Sequence, residues 1–242
     1  MPGRCPVSVF IVRIGVMQPD GEVSIRYPSY KSLDDYIDVE RLKSLDDYVT
    51  QRIKKHLELQ NDLEFYTGPY RLQEDHPDRP GSRMIYLAQS SRPDSYFDLN
   101  NSELWHATEA TSEFSLLMDF IATLPFKSTG RMLIMYDNVS RPVTAHRDHA
   151  ESDLCHEFVW FRTNLRKPFY LLDPGTNEKK YVESYSAWFD TVNQFHGSDA
   201  ADSLTFSIRV DGTFTDEFKS QLPLANSGNV AATPSLWAMS DG

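Results

Sequence analysis

The chain has 242 residues, of which 40% are hydrophobic and 24% are charged, and these proportions are ordinary for a globular protein and argue against disorder. Lys and Arg number 24 against 35 Asp and Glu, and the net charge of −11 disfavours non-specific nucleic-acid binding because a phosphate backbone would be repelled. Two cysteines are too few for a disulfide framework, which fits a reducing compartment. We therefore expect a single domain over residues 1–242, with the cytoplasm as the default location.

The first apolar run, Val7–Met17, is interrupted by Arg13 and is too short to span a bilayer, so we expect no membrane association. Within it, Ser8–Val16 is rich in Val and Ile and is predicted to be a strand. Further on, the six residues Lys31–Tyr36 recur as Lys43–Tyr48. A period of 12 residues that occurs twice is too short for a solenoid, so we interpret it as a local duplication.

Two helices are predicted before residue 129. The first carries an apolar stripe at three- and four-residue spacing, with Ser44 as its capping residue; the stripe consists of Leu42, Leu45, Val49, Ile53 and Leu57. The second covers Ser112–Leu124 and is ended by Pro125. Between them, Gly68–Asn101 is dense in Pro, Asp, Arg and Ser and is predicted to be a long loop at the substrate entrance. Residues 1–129 would thus supply helical support and a lid.

Residues 130–212 are different, because short β-rich runs alternate there with turn residues. Eight strands at this spacing predict a sandwich or barrel. They are placed at Met132–Tyr136, Thr144–Arg147, His156–Thr163, Phe169–Leu172, Lys180–Val182, Ala187–Thr191, Gln194–Gly197 and Leu204–Val210. The tail, residues 213–242, becomes rich in Ala, Ser, Asn and Gly after Lys219, and its end is expected to be poorly ordered.

Three residues of this β-rich region have the chemistry of a metal site. His146 and Asp148 are two residues apart, so both side chains project from one face of an extended backbone. His196 follows 48 residues after Asp148, at a later predicted strand, and the fold would have to bring it in. Two imidazoles and a carboxylate on one face of an octahedral ion leave three positions open, which suits non-haem iron(II). The alternative is a charged surface turn, and His149 would point to the opposite face.

Arg209 lies 13 residues past His196, in the alternating run Thr205–Val210. Ser207 and Arg209 share one face of that run, and the apolar residues share the other. A guanidinium flanked by hydroxyls on such a strand fits bidentate capture of a carboxylate, although an exposed arginine on the wet side of the strand is the alternative.

These residues, His146-X-Asp148, then His196, then Arg209 within a run of short strands, resemble the iron(II)/2-oxoglutarate-dependent oxygenases. The resemblance implies a mainly β fold, a double-stranded β-helix (jelly-roll, cupin-like) barrel with flanking N-terminal α-helices. It also implies Fe(II) held by the triad, with 2-oxoglutarate and O2 as co-substrates and Arg209 on the far carboxylate. Arg209 is expected on a strand adjacent to that of His196, about one extended dicarboxylate from the metal. The expected reaction hydroxylates or otherwise oxidises a small, amino-acid-like molecule or a peptide side chain, releasing succinate and CO2.

Within that superfamily, the chain is similar to the aspartyl/asparaginyl β-hydroxylase-like group. The similar segments are Gly130–Tyr136, Thr163-Asn164 and Trp188–Asp190. The chain departs from that group's pattern at Phe158, where a basic residue or a histidine is expected.

Further candidate contacts follow from strand alternation. His156 and Arg162 fall on one face of their strand and are candidates for a substrate carboxylate or the near end of 2-oxoglutarate. Tyr170 is a candidate hydroxyl for the co-substrate, with a core tyrosine as the alternative. Two other functions stay open: a cupin-like metalloenzyme that does not use 2-oxoglutarate, and a non-enzymatic β-sandwich binding module. The substrate's identity and the oligomeric state do not follow from the sequence.

Overall fold

The computed structural model describes residues 16–17, 23–24, 30–58, 82–90, 98–137, 142–148, 157–173, 176–189, 191 and 194–221. Most of the predicted first strand, His149, His156, the first part of the predicted lid and the last part of the tail lie outside these described residues.

The described part is built mainly from antiparallel strands, with short helices before and after them. The strands are β1 (Val16–Met17), β2 (Val23–Ser24), β3 (Lys31–Ser32), β4 (Ser82–Ser90), β5 (Trp105–Ala107), β6 (Phe126–Asp137), β7 (Val143–His146), β8 (Phe158–Phe161), β9 (Phe169–Leu172), β10 (Lys179–Tyr181), β11 (Ser186–Trp188), β12 (His196–Ser198) and β13 (Thr205–Phe214). The helices are α1 (Val39–Ser44), α2 (Asp46–Glu58), α3 (Ala110–Glu113), α4 (Ser115–Ile121) and α5 (Asp216–Lys219), with a 3-10 turn at Asp34–Tyr36.

Eight of these strands, β6 to β13, form a jelly roll. One sheet has the order β3-β11-β8-β13-β6-β4-β5 and the other has the order β10-β9-β12-β7. Along the chain, β6, β8, β11 and β13 therefore belong to the larger sheet, and β7, β9, β10 and β12 belong to the smaller one. Every pair is antiparallel. This crossing from sheet to sheet is the double-stranded β-helix expected from the sequence, and the predicted fold class is confirmed.

The eight predicted strands are all present; Phe169–Leu172 matches β9 at both ends, and the other seven differ from the observed strands at one or both ends. Predicted strand Met132–Tyr136 lies in the second half of β6, and Leu204–Val210 overlaps the first part of β13. β6 and β13 pair from Phe126↔Phe214 to Asp137↔Thr205, and this pairing includes two register shifts. The alternation of apolar residues stops before the backbone pairing does, so the sequence pattern underestimates both lengths.

The helices cover the outer face of the larger sheet. Four residues of the predicted stripe are buried: Leu42, Leu45, Val49 and Ile53. Phe120 of α4 packs on Phe161 of β8, with ring centroids 5.5 Å apart. Ser44 is not the predicted cap, because its hydroxyl donates back to the Arg41 carbonyl, and Asp38 caps α1 instead. No helix among the described residues is long and apolar enough to cross a membrane.

The duplicated segment makes the same kind of contact twice. Asp34, in the first copy, accepts hydrogen bonds from the backbone of Tyr185 and Ser186 beside β11. Asp46, at the equivalent position of the second copy, accepts from Thr163 and Asn164 after β8. The duplication therefore supplies two carboxylates that attach the helical layer to successive strands of the larger sheet.

The lid prediction is wrong for part of its range. Residues 82–90 form β4, which pairs with β6 from Ser82↔Asp137 to Ala88↔Met132 and lies inside the larger sheet. The apolar island in this segment, Met84–Leu87, is short, and the polar residues around it concealed a central strand whose Ile85 and Tyr86 are buried. Residues 68–81 and 91–97 lie outside the described residues.

Gly130 marks a close approach of two backbones. The amide of Arg131 donates to the Leu99 carbonyl at 2.9 Å, which brings the 98–101 turn against β6. A Cβ atom at Gly130 would lie 2.0 Å from that same carbonyl oxygen. Only glycine fits at this point, where the turn packs against the backbone of β6 next to Arg131.

Candidate metal centre

His146 and His196 face each other across two strands of the smaller sheet. They are direct register partners in the antiparallel pair β7 and β12, so both side chains project from the same face. Their ring centroids are 4.5 Å apart. The fold thus brings together two imidazoles that are 50 positions apart in the sequence.

Backbone carbonyls set the orientation of both rings. Nδ1 of His146 lies 2.9 Å from the Thr144 carbonyl, and Nδ1 of His196 lies 3.0 Å from the Gln194 carbonyl. A carbonyl only accepts hydrogen bonds, so each Nδ1 must carry the proton and each Nε2 must carry a lone pair. Metal-binding histidines are usually held by such a contact, which fixes the tautomer and the direction of the ligand atom.

Asp148 completes the set from the end of β7. Its Oδ1 lies 3.9 Å from Nε2 of His146 and 3.6 Å from Nε2 of His196, and the three ligand atoms all lie within 4.8 Å of one another. Adjacent ligands of an octahedral ion with 2.1 Å bonds are about 3.0 Å apart, so a small closure of the site would satisfy that geometry. The Asp148 amide donates to the Thr191 carbonyl at 2.8 Å, which fixes the position of Asp148 beyond the end of β7.

The electrostatic surroundings keep Asp148 ionised. Burial among protein groups would by itself raise the pKa of this carboxyl, but its interaction with the His196 ring and the positive charges of Arg209 and Arg131 outweigh that effect. The resulting pKa lies well below the ordinary value for an aspartate. An anionic oxygen beside two imidazole lone pairs is a donor set for a divalent cation of the iron(II) or zinc(II) type.

Arg209 reaches this centre from the opposite sheet. Its Nη1 donates to Oδ2 of Asp148 at 2.9 Å, while Oδ1 of Asp148 faces the histidines. This corrects our expectation that Arg209 would lie on a strand adjacent to that of His196. β12 and β13 belong to different sheets that face each other, so the arginine crosses the gap and contacts a candidate ligand directly.

A second buried pair, Arg131 and Asp211, stands behind Arg209. Oδ1 of Asp211 accepts from Nε of Arg209 at 2.9 Å, and Oδ2 accepts from Nε of Arg131 at 2.9 Å. Asp211 is fully buried and Arg131 is nearly so. Sequence reasoning missed both residues. The alternation that placed Ser207 and Arg209 on one face also places Asp211 there. An aspartate on the same face as a candidate carboxylate-binding arginine was the signal that could have identified Asp211.

Aromatic rings surround the centre between the two sheets. Trp160 of the larger sheet stacks on Phe169 of the smaller one at 4.6 Å, and Phe189 lies edge-on to the His196 ring at 5.2 Å. Phe158 lies under the Arg209 guanidinium, with its ring centroid 4.1 Å from Cζ. These rings exclude water from one side of the site and strengthen its ionic contacts.

The structure does not bring Arg162 or Tyr170 to the centre. Arg162 donates to the carbonyls of Ser184, Lys167 and Val182, so its hydrogen bonds are used within the chain. Burial lowers its pKa to about 10. Tyr170 is the register partner of Gly197, so it lies on the outer face of the smaller sheet, opposite to His196. Ser207 lies on the inward face beside Arg209, and His156 is outside the described residues.

Comparisons with known proteins gave matches only among solved structures. No family model and no curated protein matches the chain. The chain is similar to solved structures of two prolyl hydroxylases and of one oxidoreductase of the 2OG-Fe(II) oxygenase family. A Pseudomonas putida prolyl-4-hydroxylase is 10% identical, with 77% of this chain and 93% of that chain covered and a TM-score of 0.42. A Trichoplax adhaerens prolyl hydroxylase is 13% identical, with coverage of 74% and 82% and a TM-score of 0.40. A Burkholderia pseudomallei oxidoreductase of the 2OG-Fe(II) oxygenase family is 10% identical, with coverage of 57% and 69% and a TM-score of 0.36.

Proposed function

We propose that this protein is an iron(II)- and 2-oxoglutarate-dependent oxygenase that hydroxylates, or otherwise oxidises, a carbon of a small molecule or peptide side chain. The observation that carries this proposal is the convergence of Nε2 of His146, Nε2 of His196 and Oδ1 of Asp148 within 4.8 Å on the inner face of a jelly roll. Three ligands from one side leave the other positions of an octahedral ion for a chelating co-substrate and O2.

Charge balance supports a dianionic co-substrate. Four charged side chains are linked through hydrogen bonds in this region, the cations Arg131 and Arg209 and the anions Asp148 and Asp211, so their charges cancel. A bound divalent metal would then leave an excess of two positive charges in a largely buried site. 2-Oxoglutarate carries two negative charges and would neutralise that excess, whereas a neutral ligand would leave it uncompensated.

The residues have separate tasks in this proposal. His146, Asp148 and His196 hold the iron, which supplies the oxygen chemistry when bound. Arg209 binds the far carboxylate of 2-oxoglutarate, since three of its five N–H donors are used in the structure and two remain. Ser207 lies on the same face of β13 and is placed to add a hydroxyl contact. In the overall reaction, one atom of O2 enters succinate, CO2 leaves, and the other atom enters the substrate.

The reaction itself is the direct test. Protein reconstituted anaerobically with iron(II) is expected to form succinate from 2-oxoglutarate after O2 is admitted, and a matching substrate from an amino-acid and peptide panel should accelerate it. Iron binding without any 2-oxoglutarate binding would favour a cupin-like metalloenzyme. Absence of stoichiometric metal binding would favour a binding module.

Arg209→Gln tests the co-substrate contact. Charge-assisted hydrogen bonds contribute roughly 1.5 to 3 kcal/mol, so the 2-oxoglutarate concentration required for half-maximal turnover is expected to rise at least about tenfold. Because Oδ2 of Asp148 loses its partner, metal affinity should fall as well. Titration with 2-oxoglutarate at saturating iron separates the two effects.

The matched control for that variant is Arg166→Gln. Arg166 is half-exposed and pairs with Asp46 near the helices, so the same substitution there should leave the 2-oxoglutarate requirement unchanged. A loss specific to the prime substrate, with normal 2-oxoglutarate dependence in Arg209→Gln, would place Arg209 in the substrate pocket instead.

A further inference from the structure

We propose that Arg131 is a second cationic residue for the far carboxylate of the co-substrate, and that Asp211 is the positioning residue that holds Arg131 and Arg209 side by side. This inference rests on the proposed function and extends it to two residues outside the set of site residues predicted from the sequence.

The first support is the geometry of the shared carboxylate. Asp211 accepts from Arg209 on one oxygen and from Arg131 on the other, each at 2.9 Å. The two guanidinium groups are therefore held on either side of a single rigid anchor. Asp211 has no exposed surface, so neither arginine can exchange this contact for water without disrupting the interior.

Arg131 has terminal N–H groups that no described residue binds. Among the described residues, the one hydrogen bond of the Arg131 side chain runs from Nε to Asp211, and Nη1 and Nη2 are not among the fully enclosed polar atoms that lack a partner. The Arg131 side chain is 11% exposed, so these terminal N–H groups keep access to the space outside the packed chain, where an anion can reach them. Up to four N–H donors of Arg131 thus remain for an acceptor supplied from outside the chain.

The third support is the distribution of charge along the site. Arg131, Asp211 and Arg209 together carry one net positive charge, which matches one carboxylate. A divalent metal with Asp148 also carries one net positive charge, which matches the other carboxylate of a 2-oxo dicarboxylic acid. Without Arg131, the Arg209 and Asp211 pair would be neutral and would offer the far carboxylate little attraction.

The experiment compares two ligands that differ only at the far end. 2-Oxoglutarate and 2-oxobutanoate share the 2-oxo acid group, and 2-oxobutanoate lacks the far carboxylate. Titration calorimetry without O2, on protein loaded with manganese(II), gives the ratio of the two affinities without any turnover. In Arg131→Gln this ratio is expected to fall about tenfold, because affinity for 2-oxoglutarate drops and affinity for 2-oxobutanoate does not.

Two further variants separate contact from charge neutralisation. Arg131→Lys keeps the charge and should recover part of the ratio. The double variant Arg131→Gln/Asp211→Asn removes both charges of the pair, so it should fold even if Arg131→Gln alone does not. If Arg131 contacts the carboxylate, the ratio stays low in the double variant. If Arg131 only neutralises Asp211, the double variant regains the parent's ratio and the inference is overturned.

The outcomes also distinguish this inference from the proposed function. A parent protein that binds manganese(II) but shows no preference for 2-oxoglutarate over 2-oxobutanoate would contradict the proposed function itself. A parent with a clear preference that Arg131→Gln leaves intact would contradict only the role of Arg131. Arg166→Gln is again the matched surface control, and its ratio should equal that of the parent.

Discussion

A chain in which His196 is replaced by alanine is expected to bind iron(II) at least about 100-fold more weakly than the parent, because loss of an outer contact to a ligand already costs 10- to 100-fold and here the ligand itself is removed. The His196 ring is buried and its Nε2 faces Oδ1 of Asp148, so no described side chain stands ready to replace it. Succinate formation should fall with metal occupancy. Anaerobic equilibrium titration with iron(II) measures the binding directly.

The control for that loss is His106→Ala, the same change at an exposed histidine of β5 in the other sheet. It should leave iron affinity and turnover unchanged. His146→Ala and Asp148→Ala should resemble His196→Ala. If all three alanine variants bound iron and worked like the parent, the triad assignment would be wrong.

Gly130→Ala is expected to give the largest loss of stability of any single methyl addition among the described glycines. The added Cβ would lie 2.0 Å from the Leu99 carbonyl oxygen and 2.9 Å from its carbon, and both are backbone atoms that cannot rotate away. Overpacking typically costs 1 to 3 kcal/mol, and a clash between backbones belongs at or above the upper end, so the free energy of unfolding should fall by roughly 3 kcal/mol or more. Denaturant titration of the metal-free protein measures it.

Ser102→Ala, an exposed change in the neighbouring turn, is the control and should alter the free energy of unfolding by less than about 0.5 kcal/mol. A stable Gly130→Ala protein would mean that the 98–101 turn can move away from β6. In that case the ratio of the 2-oxoglutarate affinity to the 2-oxobutanoate affinity should also change, because the Leu99 carbonyl of this turn accepts a hydrogen bond from the Arg131 amide.

The parts of the fold that depend on local patterns could be predicted from the sequence. Short β-rich runs between turn residues identified all eight barrel strands, and the two-residue spacing put His146 and Asp148 on one face. The spacing of apolar residues also identified the helical region that contains Leu42 and Ile53. In each case the residues that define the pattern are neighbours on one element.

What the sequence could not provide was the relation between distant strands. β4 was interpreted as a loop because its polar neighbours hid a strand that pairs at long range with β6. Arg209 was expected beside His196, whereas the jelly roll places β12 and β13 in opposite sheets. The pairing of Arg131 with Asp211 joins residues 80 positions apart, and no local spacing reports such a contact.

The division of the site between the two sheets has a thermodynamic consequence. His146 and His196 belong to the smaller sheet, and Asp148 is joined through Arg209 to the larger one. An ion that binds these three ligands fixes Asp148, whose Oδ2 accepts a hydrogen bond from Arg209 of the larger sheet, and the binding free energy of the ion adds to the stability of the folded chain. At an ion concentration 100 times the dissociation constant this linkage is worth about 2.7 kcal/mol. Removal of the ion by a chelator should therefore lower the melting temperature. The contact between Asp148, after β7, and Arg209 of β13 should be the first to loosen.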